Sequence, residues 1–386
     1  MSYKTVPIFL AFLCMGFADF VGPLSGLVGE EFKLSHFVAL LIPFTGLIMF
    51  GFLSIPLGLI QDRTGKKVVF LAGLAIALAG MLLPLFGNVL LLVFLAILLL
   101  GAGASVLQVA GNPIMRDVSD PAKYSRNLTL GQFIKAIGTL SGSLIPFAAQ
   151  KWWGLDYHVV FPIYSLALLI TLTAVALTKI EERKQSDAKP ATLTSCLSLL
   201  GNGYILLMVM AIFTYVGAEV CVSSGVPVYL QQFGIQLKTW GVLGNAFFFI
   251  WILSGRFLGS VVLNWISAQK FLFLTLLVAI AGLAGLLLAR NAAMAIASIV
   301  LVGLGFANIF PLVFSITVNR MPERSNEISG LMVTAIVGGA ILPPLMGLLA
   351  DGTSVTIGFL VPLACALYLT YVSLVSLKLP PIAHEI

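Results

Sequence analysis

Charged residues are scarce in this chain, which has 21 basic and 15 acidic residues among 386. They make up 9% of the sequence, against about 25% in an ordinary soluble domain. Hydrophobic residues make up 60%, so polar side chains are too few to cover a water-facing surface. This composition excludes a soluble enzyme, a nucleic-acid-binding protein and a disordered protein. The sequence predicts an integral membrane protein whose surroundings are the lipid bilayer.

Cysteine and histidine are also rare, with four and three copies. The cysteines are too scattered along the chain for a disulfide framework. The histidines fall near predicted loops or the tail, so the sequence builds no histidine-based metal site. It contains neither a phosphate-binding loop nor a catalytic triad motif. We therefore expect no enzymatic activity and no cofactor other than a coupling ion.

Long apolar runs are what the sequence has in abundance. A spanning helix needs about 20 apolar residues, and short polar breaks separate twelve such runs, which predicts an all-α fold. The runs lie at 5–28, 34–60, 68–87, 89–115, 127–150, 158–179, 203–230, 239–265, 271–289, 292–319, 328–350 and 354–377. The polar stretch between the sixth and seventh runs divides them equally. We predict an N-terminal six-helix bundle at 1–180, a cytoplasmic linker at 181–200 and a C-terminal six-helix bundle at 201–386.

Lysine and arginine are distributed unevenly between the two sides of the predicted spans. Fifteen lie on the side of the N-terminus and four lie on the opposite side, while Lys135 and Arg256 fall within spans. Cytoplasmic loops of membrane proteins carry an excess of Lys and Arg. This distribution predicts a multi-pass protein of the plasma membrane with both termini in the cytoplasm. We expect it to act as a monomer.

The two halves of the chain resemble each other. Ala18-Asp19 in the first span recurs as Ala218-Glu219 in the seventh, and Gly-x-Gly at 101–103 recurs at 303–305. Internal repeats are typical of transporters that bind substrate near the middle of the bilayer, between repeated halves. The sequence therefore predicts two pseudo-symmetric six-helix bundles.

Three ionisable residues fall near the middle of predicted spans: Asp19, Lys135 and Glu219. Each costs about 2.5–3.5 kcal/mol to insert into the bilayer. We interpret the two carboxylates as cation-coupling groups that bind H⁺ or Na⁺. The alternative is a static ion pair with Lys135, which can neutralise only one of them.

Neutral polar side chains share helix faces with these charges. Gln108 and Asn112 are four residues apart, and Gln132 and Lys135 are three apart, so each pair lies on one helix face. Amides suit the hydroxyls of a solute, although they also join helices to each other. An aromatic ring can stack on the apolar face of a sugar. The candidate substrate-binding residues are Gln108, Asn112, Gln132, Lys135, Asn245, Trp251, Asn308 and Phe310.

Two further features concern gating. Arg256, about two turns from one end of the eighth span, can reach the membrane interface by snorkelling or form an ion pair at a gate. The loop between the second and third spans has the pattern G-x-x-x-D-R-x-G-K-K, formed by Gly58, Asp62, Arg63, Gly65, Lys66 and Lys67. This loop resembles the signature of the major facilitator superfamily.

Other short sequence motifs resemble those of one branch of that superfamily, the fucose permeases and glucose/galactose transporters. They are Leu107-Gln-Val-Ala-Gly-Asn-Pro113, Asn127-Leu-Thr-Leu-Gly-Gln132, Tyr215-Val-Gly-Ala-Glu-Val220, Gly255-Arg-Phe257 and Ala335-Ile-Val-Gly-Gly-Ala340. The resemblance implies the major facilitator fold, with twelve helices in two bundles. It also implies cation-coupled sugar uptake by alternating access, with the loop motif clamping helix ends in one of two arrangements.

Residue by residue, the resemblance makes Asp19 the carboxylate tied to coupling and Gln132 a glutamine that contacts the sugar. Gln108 stands where the glucose/galactose group also has Gln. Lys135 departs from the family, which usually has Asn there. A lysine at this position suggests an anionic substrate such as a sugar acid, or a counter-ion for Asp19.

We expect a secondary active transporter that imports a small-molecule sugar or sugar-like solute together with H⁺ or Na⁺. The alternatives are a sugar-acid or organic-anion carrier and an efflux pump for amphipathic drugs. Efflux pumps favour a large apolar cavity, whereas this chain offers several amides and a lysine. A receptor or scaffold does not need central carboxylates in both halves.

Overall fold

A computed structural model describes residues 5–20, 24, 27–29, 31–34, 36–182, 192–235 and 246–378. Every regular element in these ranges is a helix. The first half contains α1 (Thr5–Met15), α2 (His36–Thr64), α3 (Lys66–Leu82), α4 (Leu90–Asp117), α5 (Tyr124–Trp153) and α6 (Val160–Leu177). A 3₁₀ segment, Gly16–Phe20, continues α1.

The second half begins after a short linker helix, Leu193–Ser198, and two of its spans are interrupted. It contains α7 (Gly203–Gln231), α8 (Ala246–Val262), α9 (Ala268–Leu288), α10a (Ala292–Phe306), α10b (Ile309–Arg320), α11a (Ser325–Thr334), α11b (Gly338–Gly352) and α12 (Leu360–Lys378). Ala307 and Asn308 separate the parts of the tenth span, and Ala335–Val337 separates those of the eleventh.

The lengths of these helices confirm the membrane prediction. Nine helical segments in the described ranges are long and apolar enough to cross a bilayer. Two shorter apolar segments and the 29-residue α2 supply the remaining spans. The all-α fold with twelve membrane helices is therefore confirmed.

Side-chain caps fix where several helices begin. The first N–H groups of a helix have no partner within it, and an Asn or Asp oxygen can accept from them. Asn202 accepts from the N–H groups of Tyr204 and Ile205 at the start of α7. Asn291 does the same for Met294 at the start of α10a. These caps place the helix starts within one residue of the positions predicted from hydropathy.

The chain forms two compact units. The first unit comprises Met1–Asp120, Ile134–Leu197 and Glu323–Thr334, and the second comprises Pro121–Phe133, Ser198–Pro322 and Ala335–Ile386. This division differs from the predicted halves at two short segments, 121–133 and 323–334. The predicted bundle boundaries at 180 and 201 stay a prediction.

Candidate functional site

In the first unit, α1 and α5 cross at a pair of glycines. A Cβ at Gly16 would lie 2.6 Å from the backbone nitrogen of Thr139, and a Cβ at Gly138 would lie 3.2 Å from the Cα of Gly16. Small residues allow membrane helices to approach this closely. The contact brings the segment that carries Asp19 against the middle of α5.

This crossing sets the partner of Asp19. Its carboxylate is exposed and accepts a hydrogen bond of 2.7 Å from the Thr139 hydroxyl. Lys135 lies one helical turn away from Thr139 and is half-buried. Among the described residues, no carboxylate forms an ion pair with Lys135. In the described part of the first unit, the predicted ion pair between Lys135 and Asp19 is therefore not present, and Asp19 accepts from the hydroxyl of Thr139.

Two predicted amides lie in the same unit on α4. Gln108 and Asn112 are buried. The Oε1 atom of Gln108 has no hydrogen-bond partner among the described residues. Buried polar atoms nearly always have a partner, so an amide oxygen of this kind is a candidate for binding a ligand. The 3₁₀ segment with Asp19 packs against α4, the helix that carries both amides.

In the second unit, Glu219 forms an ion pair with Arg256, with Oε1 and Nη2 3.6 Å apart. Arg256 is buried, and it also donates to two backbone carbonyls, those of Gln132 and Ala307, each at 3.2 Å. The prediction that Arg256 snorkels to the interface is wrong, because its guanidinium finds three acceptors inside the unit. The alternative, an ion pair within the protein, is the one observed.

The break in the tenth span supplies one of these acceptors. A helix interruption frees backbone groups, and Arg256 Nε takes the freed carbonyl of Ala307. In return, Asn308 Nδ2 donates to the carbonyl of Gly255 at 2.8 Å. These two reciprocal bonds join α8 to the break. The amide of Asn308 is therefore engaged through its nitrogen, while its Oδ1 has no partner among the described residues.

The other predicted residues of the second unit divide by their surroundings. Gln132 is buried, and its Nε2 has no partner in the described part of the chain. Trp251 is half-buried with its Nε1 similarly unpaired. Phe310 is buried, its ring centroid lies 5.9 Å from that of Phe314, and its role in binding stays a prediction. Asn245 lies outside the described residues.

The loop motif between α2 and α3 is held by residues from several elements of the first unit. Gly65 has a φ of 94°, a conformation that favours glycine. Glu182, at the start of the linker, accepts from the N–H groups of Lys66 at 2.8 Å and Lys67 at 2.9 Å. It therefore caps the N-terminus of α3, where a negative charge is favourable.

The lysines of the motif fasten other helix ends. Lys66 Nζ lies 2.5 Å from a carboxylate oxygen of Asp117 at the end of α4, and both side chains are buried. Lys67 Nζ donates to the carbonyls of Ala176 and Thr178, at and just beyond the end of α6. The motif thus ties the ends of three helices and the linker.

The first part of the motif contacts α11a, which belongs to the same unit. Asp62 accepts a hydrogen bond of 2.9 Å from Asn326. A Cβ at Gly58 would stand 3.2 Å from the Cα of Gly330, so this glycine permits the two helices to touch. Arg63 is exposed. The family resemblance implies that this motif clamps helix ends, and in the first unit the motif contacts α11a through Asp62 and Gly58.

Sequence reasoning missed Thr139, Glu182 and Asp117. Thr139 follows Lys135 by four residues, and this spacing places both residues on one helix face. The spacing alone could therefore have indicated Thr139 as a candidate. Glu182 and Asp117 lie at predicted helix ends, where acidic residues are ordinary. Nothing in the sequence singled them out.

Charged side chains held inside membrane spans are typical of substrate and ion pathways. The chain belongs to the Major Facilitator Superfamily, whose family model matches residues 8–344.

Two of the similar curated proteins are named as sugar transporters. The chain is 29% identical to a glucose/galactose transporter of Brucella abortus (strain 2308), with 90% of this chain and 87% of the relative aligned. It is 24% identical to the L-fucose-proton symporter of Escherichia coli K12, over 87% and 84% of the two chains.

Solved structures show the same fold. The crystal structure of the superfamily transporter FucP in its outward conformation matches with a TM-score of 0.82 at 20% identity, covering 97% of this chain and 99% of that one. A human organic anion transporter matches with a TM-score of 0.78 at 13% identity, covering 97% and 100%. These likenesses concern the fold alone.

Proposed function

We propose that this protein imports a sugar across the plasma membrane by alternating access, in symport with a proton. The buried amides of Gln108 and Asn112 in the first unit bind the hydroxyls of the solute. The relatives support this proposal, because they are named as a glucose/galactose transporter and an L-fucose-proton symporter. The excess of Lys and Arg on one side supports the orientation with both termini in the cytoplasm.

The observation that best supports the coupling mechanism is that the two mid-span carboxylates have different partners. Asp19 is exposed and bonded to a neutral hydroxyl, so it can gain or lose a proton without breaking an ion pair. Glu219 has Arg256 as a counter-charge, and protonating it would leave a buried guanidinium without that carboxylate. We therefore assign coupling to Asp19 and a positioning role to Glu219.

The loop motif serves gating in this proposal. The hydrogen bond that Asn326 donates to Asp62 and the close Gly58–Gly330 contact join α2 to α11a. Alternating access requires one arrangement of helices to be exchanged for another. Breaking and re-forming this hydrogen bond and this close contact would exchange one helix arrangement for the other at a small cost in free energy.

Reconstitution into proteoliposomes tests the coupling. Uptake of D-glucuronate and of the neutral sugars D-glucose, D-galactose and L-fucose is measured with an inward proton gradient, an inward Na⁺ gradient, or neither. We expect uphill accumulation with the proton gradient, loss of accumulation but retained exchange in Asp19→Asn, and wild-type behaviour in the exposed control Asp351→Asn. Full accumulation by Asp19→Asn would refute the assignment of Asp19, and accumulation driven by Na⁺ alone would change the coupling ion. Absence of uptake and exchange for all three neutral sugars would refute a neutral-sugar carrier.

A further inference from the structure

Among the described residues of the first unit, Lys135 is the one lysine or arginine that lies mid-span. It is half-buried on α5, one turn from Thr139 and close to the crossing with the segment that carries Asp19. The described residues provide no carboxylate partner for it. The nearby Asp19 accepts from the hydroxyl of Thr139 and forms no ion pair with Lys135 among the described residues.

A cation in this position needs a physical reason. A lysine at the centre of a span costs about 2.5–3.5 kcal/mol on insertion scales, and proteins ordinarily offset this cost with an opposite charge. In the second unit this cost is offset for Arg256, because its guanidinium forms an ion pair with Glu219 and donates hydrogen bonds to two backbone carbonyls. Lys135 has no such arrangement, although Asp19 lies on the neighbouring segment.

We propose that Lys135 is a binding subsite for an anionic group on the substrate, and that the solute is a sugar acid whose carboxylate pairs with this ammonium. The inference rests on the proposed sugar-import function and narrows its substrate class. The amides bind the hydroxyls, and the lysine binds the acid group. A hydrogen-bonded ammonium–carboxylate pair is stronger than a neutral hydrogen bond, so Lys135 discriminates between acidic and neutral sugars.

The number of charges favours a carboxylate over a phosphate. A phosphate monoester carries about −1.5 to −2 charges at pH 7 and three strong acceptor oxygens. Among the described residues of the first unit, Lys135 is the single mid-span cation that could bind it. A carboxylate carries one negative charge, which one ammonium neutralises when the neighbouring Asp19 holds the coupling proton. The site is therefore matched to a monoanion.

Binding to the purified full-length protein tests the proposal. Affinities are measured for D-glucuronate, D-galacturonate and D-gluconate, for neutral D-glucose and D-galactose, and for D-glucose 6-phosphate. We expect the wild type to bind at least one of the acids more than tenfold more tightly than its neutral counterpart. Lys135→Asn, which restores the residue usual in the neutral-sugar branch, should lose more than tenfold in acid affinity and keep or gain affinity for the hexose. Lys135→Arg should keep the preference for the acid.

The matched control is Lys151→Asn, which removes an exposed lysine near the end of the same helix and should leave every affinity unchanged. A wild type that prefers neutral hexoses, with Lys135→Asn unaltered, overturns the sugar-acid inference and leaves sugar import intact. Tightest binding of the phosphate overturns the choice of carboxylate. A folded wild type that binds no sugar of any kind overturns the proposed function and the inference together. If Lys135→Asn does not fold, the wild-type ratio of acid to hexose affinity decides.

Discussion

The ion pair between Glu219 and Arg256 yields a prediction that separates stability from coupling. Glu219→Gln keeps the size of the side chain and removes its charge, so the Arg256 guanidinium loses its counter-charge. The side chains are only 15% and 11% exposed, so water screens the pair weakly. Arg256 keeps its two carbonyl acceptors, and the helix contacts around it remain.

The magnitude follows from the geometry. Two unit charges 3.6 Å apart attract by about 4.6 kcal/mol at an effective dielectric constant of about 20, and removing one partner of a buried pair costs about 3–5 kcal/mol. Because the two carbonyls still stabilise Arg256, we expect the lower end, about 3 kcal/mol. With an unfolding entropy of about 2.1 cal/mol/K per residue over 386 residues, this lowers the melting temperature by roughly 4 °C.

The assay combines thermal unfolding in detergent with gradient-driven uptake in proteoliposomes. Glu219→Gln, Arg256→Gln and the double variant are compared with the wild type and with the exposed control Asp351→Asn. The double variant should be less destabilised than the sum of the single variants, because neither charge is then left alone. Glu219→Gln should still accumulate substrate, since its role is to position Arg256.

Two results would contradict this reasoning. A melting temperature of Glu219→Gln within about 1 °C of the wild type would mean that the pair contributes little to stability. Loss of uphill accumulation with exchange retained would make Glu219 a coupling group. The control excludes a general effect of removing a carboxylate, because Asp351 is exposed and surface substitutions usually change stability by less than about 0.5 kcal/mol.

Three further predictions concern other parts of the chain. Gln108→Ala should weaken substrate binding roughly 5- to 150-fold, because losing a buried hydrogen bond costs about 1–3 kcal/mol. The control is Gln150→Ala, which changes an exposed glutamine. Equal substrate affinities of the two variants would make Gln108 a packing residue. Gly138→Ala should lower the melting temperature, because its Cβ would meet the backbone of α1 and overpacking costs about 1–3 kcal/mol. Gly347→Ala, whose Cβ has no neighbour within 4 Å, should not lower it, and equal melting temperatures would refute the close crossing. Burial raises the pKa of the Cys196 thiol to about 11, so at pH 7.5 its thiolate fraction is far below that of an ordinary cysteine. N-ethylmaleimide should therefore label Cys196 much more slowly than a cysteine placed at the exposed position next to it by Leu197→Cys, and equal rates would show that the thiol is accessible.

Hydropathy predicted the spans because a bilayer demands about 20 apolar residues in a row. The fourth run, predicted at 89–115, became Leu90–Asp117, and the seventh, predicted at 203–230, became Gly203–Gln231. The breaks at Ala307–Asn308 and Ala335–Val337 were not predicted. A short interruption leaves the average hydropathy of a run unchanged, so only backbone geometry reveals it.

Mid-span charges were identifiable from sequence, whereas their partners were not. A position along a helix follows from counting residues, but the direction that a side chain faces depends on how the helix packs. Arg256 lies six residues before the end of α8, within reach of the interface by length alone. It is buried instead because α8 packs against the broken tenth span, whose free carbonyl accepts from it.

The two corresponding carboxylates show why a repeated sequence does not imply a repeated function. Asp19 and Glu219 occupy equivalent places in their halves, yet a neutral hydroxyl binds one and a guanidinium binds the other. A carboxylate paired with a buried cation can accept a proton only at the cost of that pair, whereas one bonded to a hydroxyl can do so without stranding a charge. The same reasoning applies to the cations, because Arg256 has a resident acid and Lys135 is left for an anion from outside. On this assignment, the first unit exchanges both proton and substrate charge with the surroundings, and the second unit holds its own charges fixed.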